Sequence, residues 1–460
     1  MVSLRVLCTL LATAAVICVA QPTHPAITSW IQNTTGITGR HYMRGNPVPI
    51  VDTFKANCQL VQYSNDYSYI RANGIPAYVI GPYLDGNPAQ AVGRNYLFKI
   101  PLKPQVNTGM KTAVGLGHIA VLINGVPVYN YADARSYNNG NVWHQNAIVF
   151  ERTGFDCAKG HPAPLQTGPP GGGGAQGQYH HHQDPSAFNI AKVKMSDVCD
   201  MYLADGLYVP DSTKHGPLIG YSFDGFPIYG AFGWVNEGGK NVVKRMTPSY
   251  RLRNITERTT LSDGTKLTQA QYGPTLAAQP LGSYAEDYEY VEGSGDLDMH
   301  NGRFCTTPEY PEGTYAYFAT IDADGNSVYP YVIGPSYYGV VVTDNFAVRG
   351  PGAASTNVRI TEAVQTYNPT TSVDNDAVLS TVTVFPNPAA DVLIIQVTSP
   401  MTESASVELV DLGGRIVRTS TIKQGSTMCF LDVQSLYAGA YVARITRNGT
   451  SINLPVIISE

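Results

Sequence analysis

Three consecutive histidines, His180, His181 and His182, follow Tyr179 and lead into Asp184-Pro185. Only ten histidines serve all 460 residues, so no other stretch offers as much imidazole. In an extended strand side chains alternate faces: His180 and His182 share one, Tyr179 and His181 the other. Two neutral imidazoles on one face, about 7 Å apart at the backbone, can converge on a metal ion or an anionic ligand. A third ligand must come from elsewhere. His161 stands on a Gly-His-Pro turn ahead of the glycine run at 171–174, so the chain there can fold back onto the strand. Asp156 and Asp224 are the carboxylates expected to complete or orient the set. Zinc takes such His and carboxylate ligands at about 2.0–2.2 Å, and copper(II) suits the same imidazoles in tetragonal geometry. A carboxylate holding the far ring nitrogen is expected behind them. The competing reading is that these histidines are hydrogen-bonded structural residues pinning an irregular loop.

Three other acidic or aromatic segments could also carry chemistry. Tyr221, Phe223, Phe226 and Tyr229 surround Asp224-Gly225. They read either as a stacking platform for a sugar or peptide, or as core around a turn that Asp224 caps. Asp322, Asp324 and Asn326 alternate around Gly325 as calcium loops do, but no glutamate closes the loop. An Asp-Gly hairpin turn is the favoured reading there, and the same holds for Asp296 and Asp298 before His300. The chain has no Gly-x-Ser-x-Gly elbow, no His-Glu-x-x-His helix and no phosphate-cradling glycine loop.

The elements that must position these residues are strands and turns. Charged residues make up 14% of the chain, against 45 Gly, 31 Pro and 30 Tyr, a balance that favours an all-β, turn-rich fold. A net charge of -5 gives no footprint for nucleic acid. Arg5, the apolar run at 6–19 and Ala20 before Gln21 read as a signal peptide over residues 1–20. That run is too short to span a membrane comfortably, and no other stretch qualifies. In an oxidising setting Cys58, Cys157, Cys199 and Cys305 are expected to form two disulfides of undetermined connectivity, with Cys429 a free buried thiol.

The main domain is read over residues 30–347. Residues 75–83 and 329–337 echo one another (Pro-Ala-Tyr-Val-Ile-Gly-Pro against Pro-Tyr-Val-Ile-Gly-Pro), which suggests two alike strands paired where the domain closes. Residues 117–130 form a hairpin around Asn124-Gly125. Residues 162–177, rich in Pro and Gly, form a loop. Residues 348–379 read as a linker, and five or more short strands within 380–460 make a small β-sandwich.

Two resemblances rest on these residues. The C-terminal part resembles the type A sorting domain of the type IX secretion system, through Phe385-Pro-Asn-Pro388, the segment from Val410 to Arg415, and Gly439-Ala-Tyr-Val442. This implies export across the outer membrane, with the secretion machinery and its sortase as partners and the domain removed at the cell surface. The main domain resembles the YHYH family, through Asn73-Gly-Ile-Pro76, Gly86-Asn-Pro88, Asn124-Gly-Val-Pro127, Gly160-His161-Pro162, the segment 218–230, and Asn301-Gly-Arg-Phe304. The chain departs from the name motif at His181, where the family has its second Tyr, so that tyrosine's role is not carried over. The family brings no established activity. The residues therefore lead to a secreted or surface metal-binding β protein. An extracellular glycan-binding or adhesion module and a metal-dependent extracellular enzyme stand as alternatives.

Overall fold

The computed structural model describes the chain apart from residues 1–21, 86–89, 164–176, 194, 196–198, 238–239, 347–355, 370–381, 398–400, 402, 412–413, 448–449 and 460. The expected signal peptide and the glycine run both lie outside the described residues. The chain divides into two compact units, Met1–Asn368 and Pro369–Glu460.

An eight-stranded mixed sheet organises the first unit. Its strands are β1 (His118–Leu122), β2 (Pro127–Tyr129), β3 (Gly160–Pro162), β4 (Tyr179–His181), β5 (Leu218–Ser222), β6 (Pro227–Tyr229), β7 (Gly302–Cys305) and β8 (Thr314–Phe318). Their spatial order is β3-β4-β2-β1-β5-β6-β8-β7. Every residue of β1, β5 and β8 is buried. These strands are near-continuous apolar runs because both faces of the sheet are covered. On one face Val121, Tyr221, Tyr229 and Phe318 pack with Cys58, Val61, Ile70, Phe98 and Ile100. The latter residues come from an antiparallel sheet of Cys58–Tyr63, Tyr67–Ala72 and Tyr96–Pro101. On the other face Ile119, Leu122, Ile228, Tyr315 and Tyr317 pack with Tyr78, Ile80 and Tyr329.

The two tight hairpins follow from their turn residues. Asn124-Gly125 joins β1 to β2, with Gly125 at φ +80°, a conformation glycine adopts without a Cβ clash. Asp224-Gly225 joins β5 to β6 in the same way, Gly225 N–H donating to the Ser222 carbonyl at 2.9 Å.

Three expectations need correction. The echoing segments do not pair with each other. Val79–Ile80 runs parallel to Thr38–Met43, while residues 329–334 form turns. The prolines at each end of both segments lack the N–H that a ladder between them would use. Residues 348–379 are not wholly a linker. Gln365–Tyr367 adds an antiparallel edge strand to Cys58–Tyr63, and Val358 is buried. Finally, among the described residues one disulfide forms instead of two. Cys157 and Cys199 are joined, with Cα atoms 5.4 Å apart, while Cys58, Cys305 and Cys429 are free and buried. The Cys58 thiol is turned onto the Ile123 carbonyl at 3.3 Å. Burial pushes Cys58 well above the usual thiol range and Cys305 up to about 11, so both behave as small apolar residues.

In the second unit, one sheet holds Thr383–Phe385, Val392–Gln396 and Met428–Asp432. The other holds Ala405–Asp411, Ile416–Ile422, Gly439–Arg447 and Thr450–Ile458. Leu393, Ile395 and Leu431 from the first share one core with Val407, Leu409, Ala443, Ile445 and Val456 from the second, which makes a β-sandwich.

Candidate metal centre

Register brings His161 to His180. Strand β3 runs antiparallel to β4 with His161 directly opposite His180, so their side chains leave the sheet on the same face. His182 stands two residues beyond His180 on that face. The three rings are at most 4% exposed, and their ligand-capable atoms lie within 4.8 Å of one another. The Nε2 atoms of His180 and His182 are 3.1 Å apart. Two nitrogens held about 2.05 Å from one metal are separated by about 3.3 Å in tetrahedral geometry and about 2.9 Å as tetragonal neighbours.

The far ring nitrogens explain the orientation. His180 Nδ1 is 2.8 Å from the Gln178 carbonyl, and His182 Nδ1 bonds the Asn130 carbonyl. A carbonyl only accepts, so each ring, when neutral, carries its proton on Nδ1 and turns the Nε2 lone pair inward. Backbone carbonyls thus take the place where a carboxylate was expected, with the same effect on the tautomer. Two lone pairs facing each other across 3.1 Å repel, and a cation between them turns that repulsion into attraction.

Glu151 completes the cluster. It caps the short helix Ala147–Phe150, and its Oε2 lies 3.0 Å from His182 Nε2 and 3.5 Å from His161 Nε2. Glu151 Oε2 and His161 Nε2 are both buried, and the partners they face belong to the cluster itself. Burial alone would raise the Glu151 carboxyl, but the His182 and His161 imidazoles hold it well below the usual range. Burial, reinforced by its two imidazole neighbours, pushes His180 well below the ordinary histidine range, so it is a neutral donor. Tyr129 stacks on His180 at 3.7 Å between centroids, and Phe155 meets His161 edge-on at 4.8 Å. These rings keep water from that side.

His181 does different work on the opposite face. Its Nε2 lies 2.6 Å from the Tyr78 hydroxyl and its Nδ1 3.1 Å from the Lys159 carbonyl. Burial lowers it to about 3. It is a neutral structural histidine.

The structure does not bring Asp156 or Asp224 into this cluster. Asp156 accepts from the backbone N–H groups of Gly81, Ala158 and Gly160 and from the Tyr179 hydroxyl, which makes it the organiser of the turn into β3. Burial outweighs those donors and pushes its carboxyl up to about 7. Asp224 accepts from the Tyr317 hydroxyl at 2.6 Å and from Gly339 N–H at 2.8 Å, and burial raises it too. Asp322 accepts from Asp324 N–H, Asn326 N–H and Asn326 Nδ2, as a hairpin turn requires, while Asp324 pairs with Lys192. Asp298 caps the turn before His300 in the same way, through His300 N–H and the Tyr315 hydroxyl. Tyr221, Phe223, Phe226 and Tyr229 are all buried, so this segment presents no ring face to a sugar.

Sequence reasoning missed Glu151. Nothing in its neighbourhood marks it as a ligand, and only the packing of a one-turn helix beside β3 and β4 carries it there.

Turn-rich β architecture, a histidine-bearing sheet edge and an appended sandwich define the class, and known proteins agree. The family described as YHYH protein matches residues 97–329, and the secretion system C-terminal sorting domain matches residues 383–459. The chain belongs to the YHYH family and carries a type IX sorting domain, so it is a protein of the cell surface or extracellular space. Among the described residues, no helix is long and apolar enough to cross a membrane. No curated protein matches. Among solved structures, the chain is similar to a DUF3244-family protein with an immunoglobulin-like β-sandwich fold from Bacteroides vulgatus. That likeness is 19% identical, covers 16% of this chain and 82% of the other, and has a TM-score of 0.15.

Proposed function

We propose that the first unit is a secreted or surface metal-binding β domain that holds zinc or copper(II) through His161, His180 and His182, with Glu151 as a fourth donor. The observation that supports this most is the set of inward Nε2 atoms, two of them 3.1 Å apart with their Nδ1 atoms tied to carbonyls. A purely structural cluster would be expected to pair its buried nitrogens. Here the three histidines' ligand-capable atoms and the Glu151 carboxylate converge on one buried point instead. Elemental analysis of the full chain, purified without chelator, tests the reading. One zinc or copper per chain supports it, and a chain that neither retains nor takes up either metal refutes it.

A metal-dependent hydrolytic role is the second reading. The Glu151 side chain is 28% exposed although its Oε2 is buried, so this carboxylate is the member of the cluster nearest solvent. A metal with three histidine ligands and water in the remaining position is the arrangement that activates water. The sorting domain, on this reading, is recognised by the secretion machinery and removed by its sortase. Mass spectrometry of the secreted protein tests that, and finding residues 383–459 still attached would count against removal.

A further inference from the structure

A cavity of about 250 Å³ lies beside the segments that build the histidine cluster but does not include its members. Ile148, Val149, Val193 and Met195 form its apolar wall, and Gln183, Arg152, Asn326 and Ser327 its polar one. Arg152 follows Glu151 in the chain, and Gln183 follows His182. The volume is below the roughly 300–1,000 Å³ of pockets for drug-sized ligands, so an occupant must be short.

Gln183 is the informative residue. It is 1% exposed, and its Oε1 accepts from the Ser327 hydroxyl at 2.8 Å. Its Nε2 is buried and has no partner among the described residues. Buried amide donors are rarely left unanswered, and this one belongs to a side chain that lines a cavity. The missing partner is an acceptor. Arg152 is exposed and brings a positive charge to the same wall, which favours an acceptor with negative charge. The four apolar side chains require the rest of the ligand to be aliphatic.

We propose that this cavity binds small monocarboxylates with a short branched aliphatic arm. The carboxylate accepts from Gln183 Nε2 and lies toward Arg152, and the arm packs against Ile148, Val149, Val193 and Met195. The proposal does not depend on metal binding.

The test is a saturation-transfer NMR titration of the full chain with isocaproate, its primary amide and the matching alcohol, with and without one equivalent of zinc. Isocaproate should saturate in both conditions, and the alcohol should bind at least about tenfold more weakly. Gln183→Glu keeps an oxygen for Ser327 but replaces the donor with a like charge, so it should weaken isocaproate at least about tenfold. Val149→Trp, made at a position 46% exposed, should fill the cavity and abolish binding without disturbing the core. His182→Ala should lose zinc yet keep isocaproate affinity within about threefold, which separates this site from the metal centre. Absence of saturation by the unaltered chain would overturn the proposal, as would unchanged affinity in Gln183→Glu or equal binding of the alcohol. Binding that appears only with zinc would also overturn it, by assigning the carboxylate to the metal.

Discussion

Replacing the three adjacent histidines one at a time should separate metal binding from stability. His180→Ala and His182→Ala each remove an inward Nε2 from the cluster. Loss of a direct ligand should exceed the roughly 10–100-fold cost of changing a supporting group, so zinc affinity should fall more than about 100-fold. His181→Ala removes no ligand but strands two buried partners, the Tyr78 hydroxyl and the Lys159 carbonyl. At about 1–3 kcal/mol for each stranded group, it should be the most destabilising of the three without metal. His180→Ala leaves the Gln178 carbonyl its bond from Ala163 N–H and relieves two lone pairs opposed at 3.1 Å, so its cost without metal should be smaller. Zinc at about 100 times its Kd should then stabilise the unaltered chain and His181→Ala by about 2.7 kcal/mol, and the other two variants hardly at all. Titration calorimetry gives the affinities, and urea unfolding with and without zinc gives the stabilities. Equal zinc affinities across the three variants, or a loss confined to His181→Ala, would refute the assignment of faces.

Four further outcomes are expected. His118 is buried among aromatic rings with its Nδ1 unpartnered, and burial lowers it to about 4. Below its ordinary pKa of about 6.5 the unfolded chain therefore binds the proton first, and about 3 kcal/mol of stability should be lost as pH falls from about 6.5 to 4. His118→Leu should flatten that part of a stability-versus-pH curve, and an unchanged slope would show that the loss arises elsewhere. Arg258 and Asp287 form a fully buried pair at 2.7 Å, so Arg258→Ala should cost about 3–5 kcal/mol in chemical denaturation; a cost below about 1 kcal/mol would contradict the pairing. Cys157 and Cys199 are 42 residues apart, so opening their bond should cost about 4 kcal/mol. Thiol counting on the denatured, unreduced chain beginning at residue 22 should find three free thiols, Cys58, Cys305 and Cys429, and a count of one would restore the second disulfide. A chain ending at residue 380 should be more resistant to protease in its first unit than one ending at 350, which lacks the edge strand Gln365–Tyr367; identical resistance would show that strand to be dispensable.

The sequence determined what depends on local chemistry. Asn124-Gly125 and Asp224-Gly225 are hairpin turns because glycine there tolerates a positive φ and the flanking runs are apolar. His180 and His182 share a face because strand side chains alternate, and the five strands recognised in the C-terminal unit come from that same alternation. Composition alone pointed away from a helical fold. Tertiary structure decided what depends on segments far apart in the chain. The pairing of β3 with β4 sets His161 opposite His180, and no spacing rule encodes that register across the intervening residues. Glu151 reaches the cluster through the placement of a four-residue helix, and Asp156 is drawn away from it by three backbone amides and Tyr179. Whether a cysteine finds a partner is likewise a question of distance and direction: Cys157 and Cys199 meet, while Cys58 faces the Ile123 carbonyl. Alternation and turn chemistry act over a few residues and are written in the sequence, whereas ligand sets and disulfides are made by packing, which only the folded chain specifies.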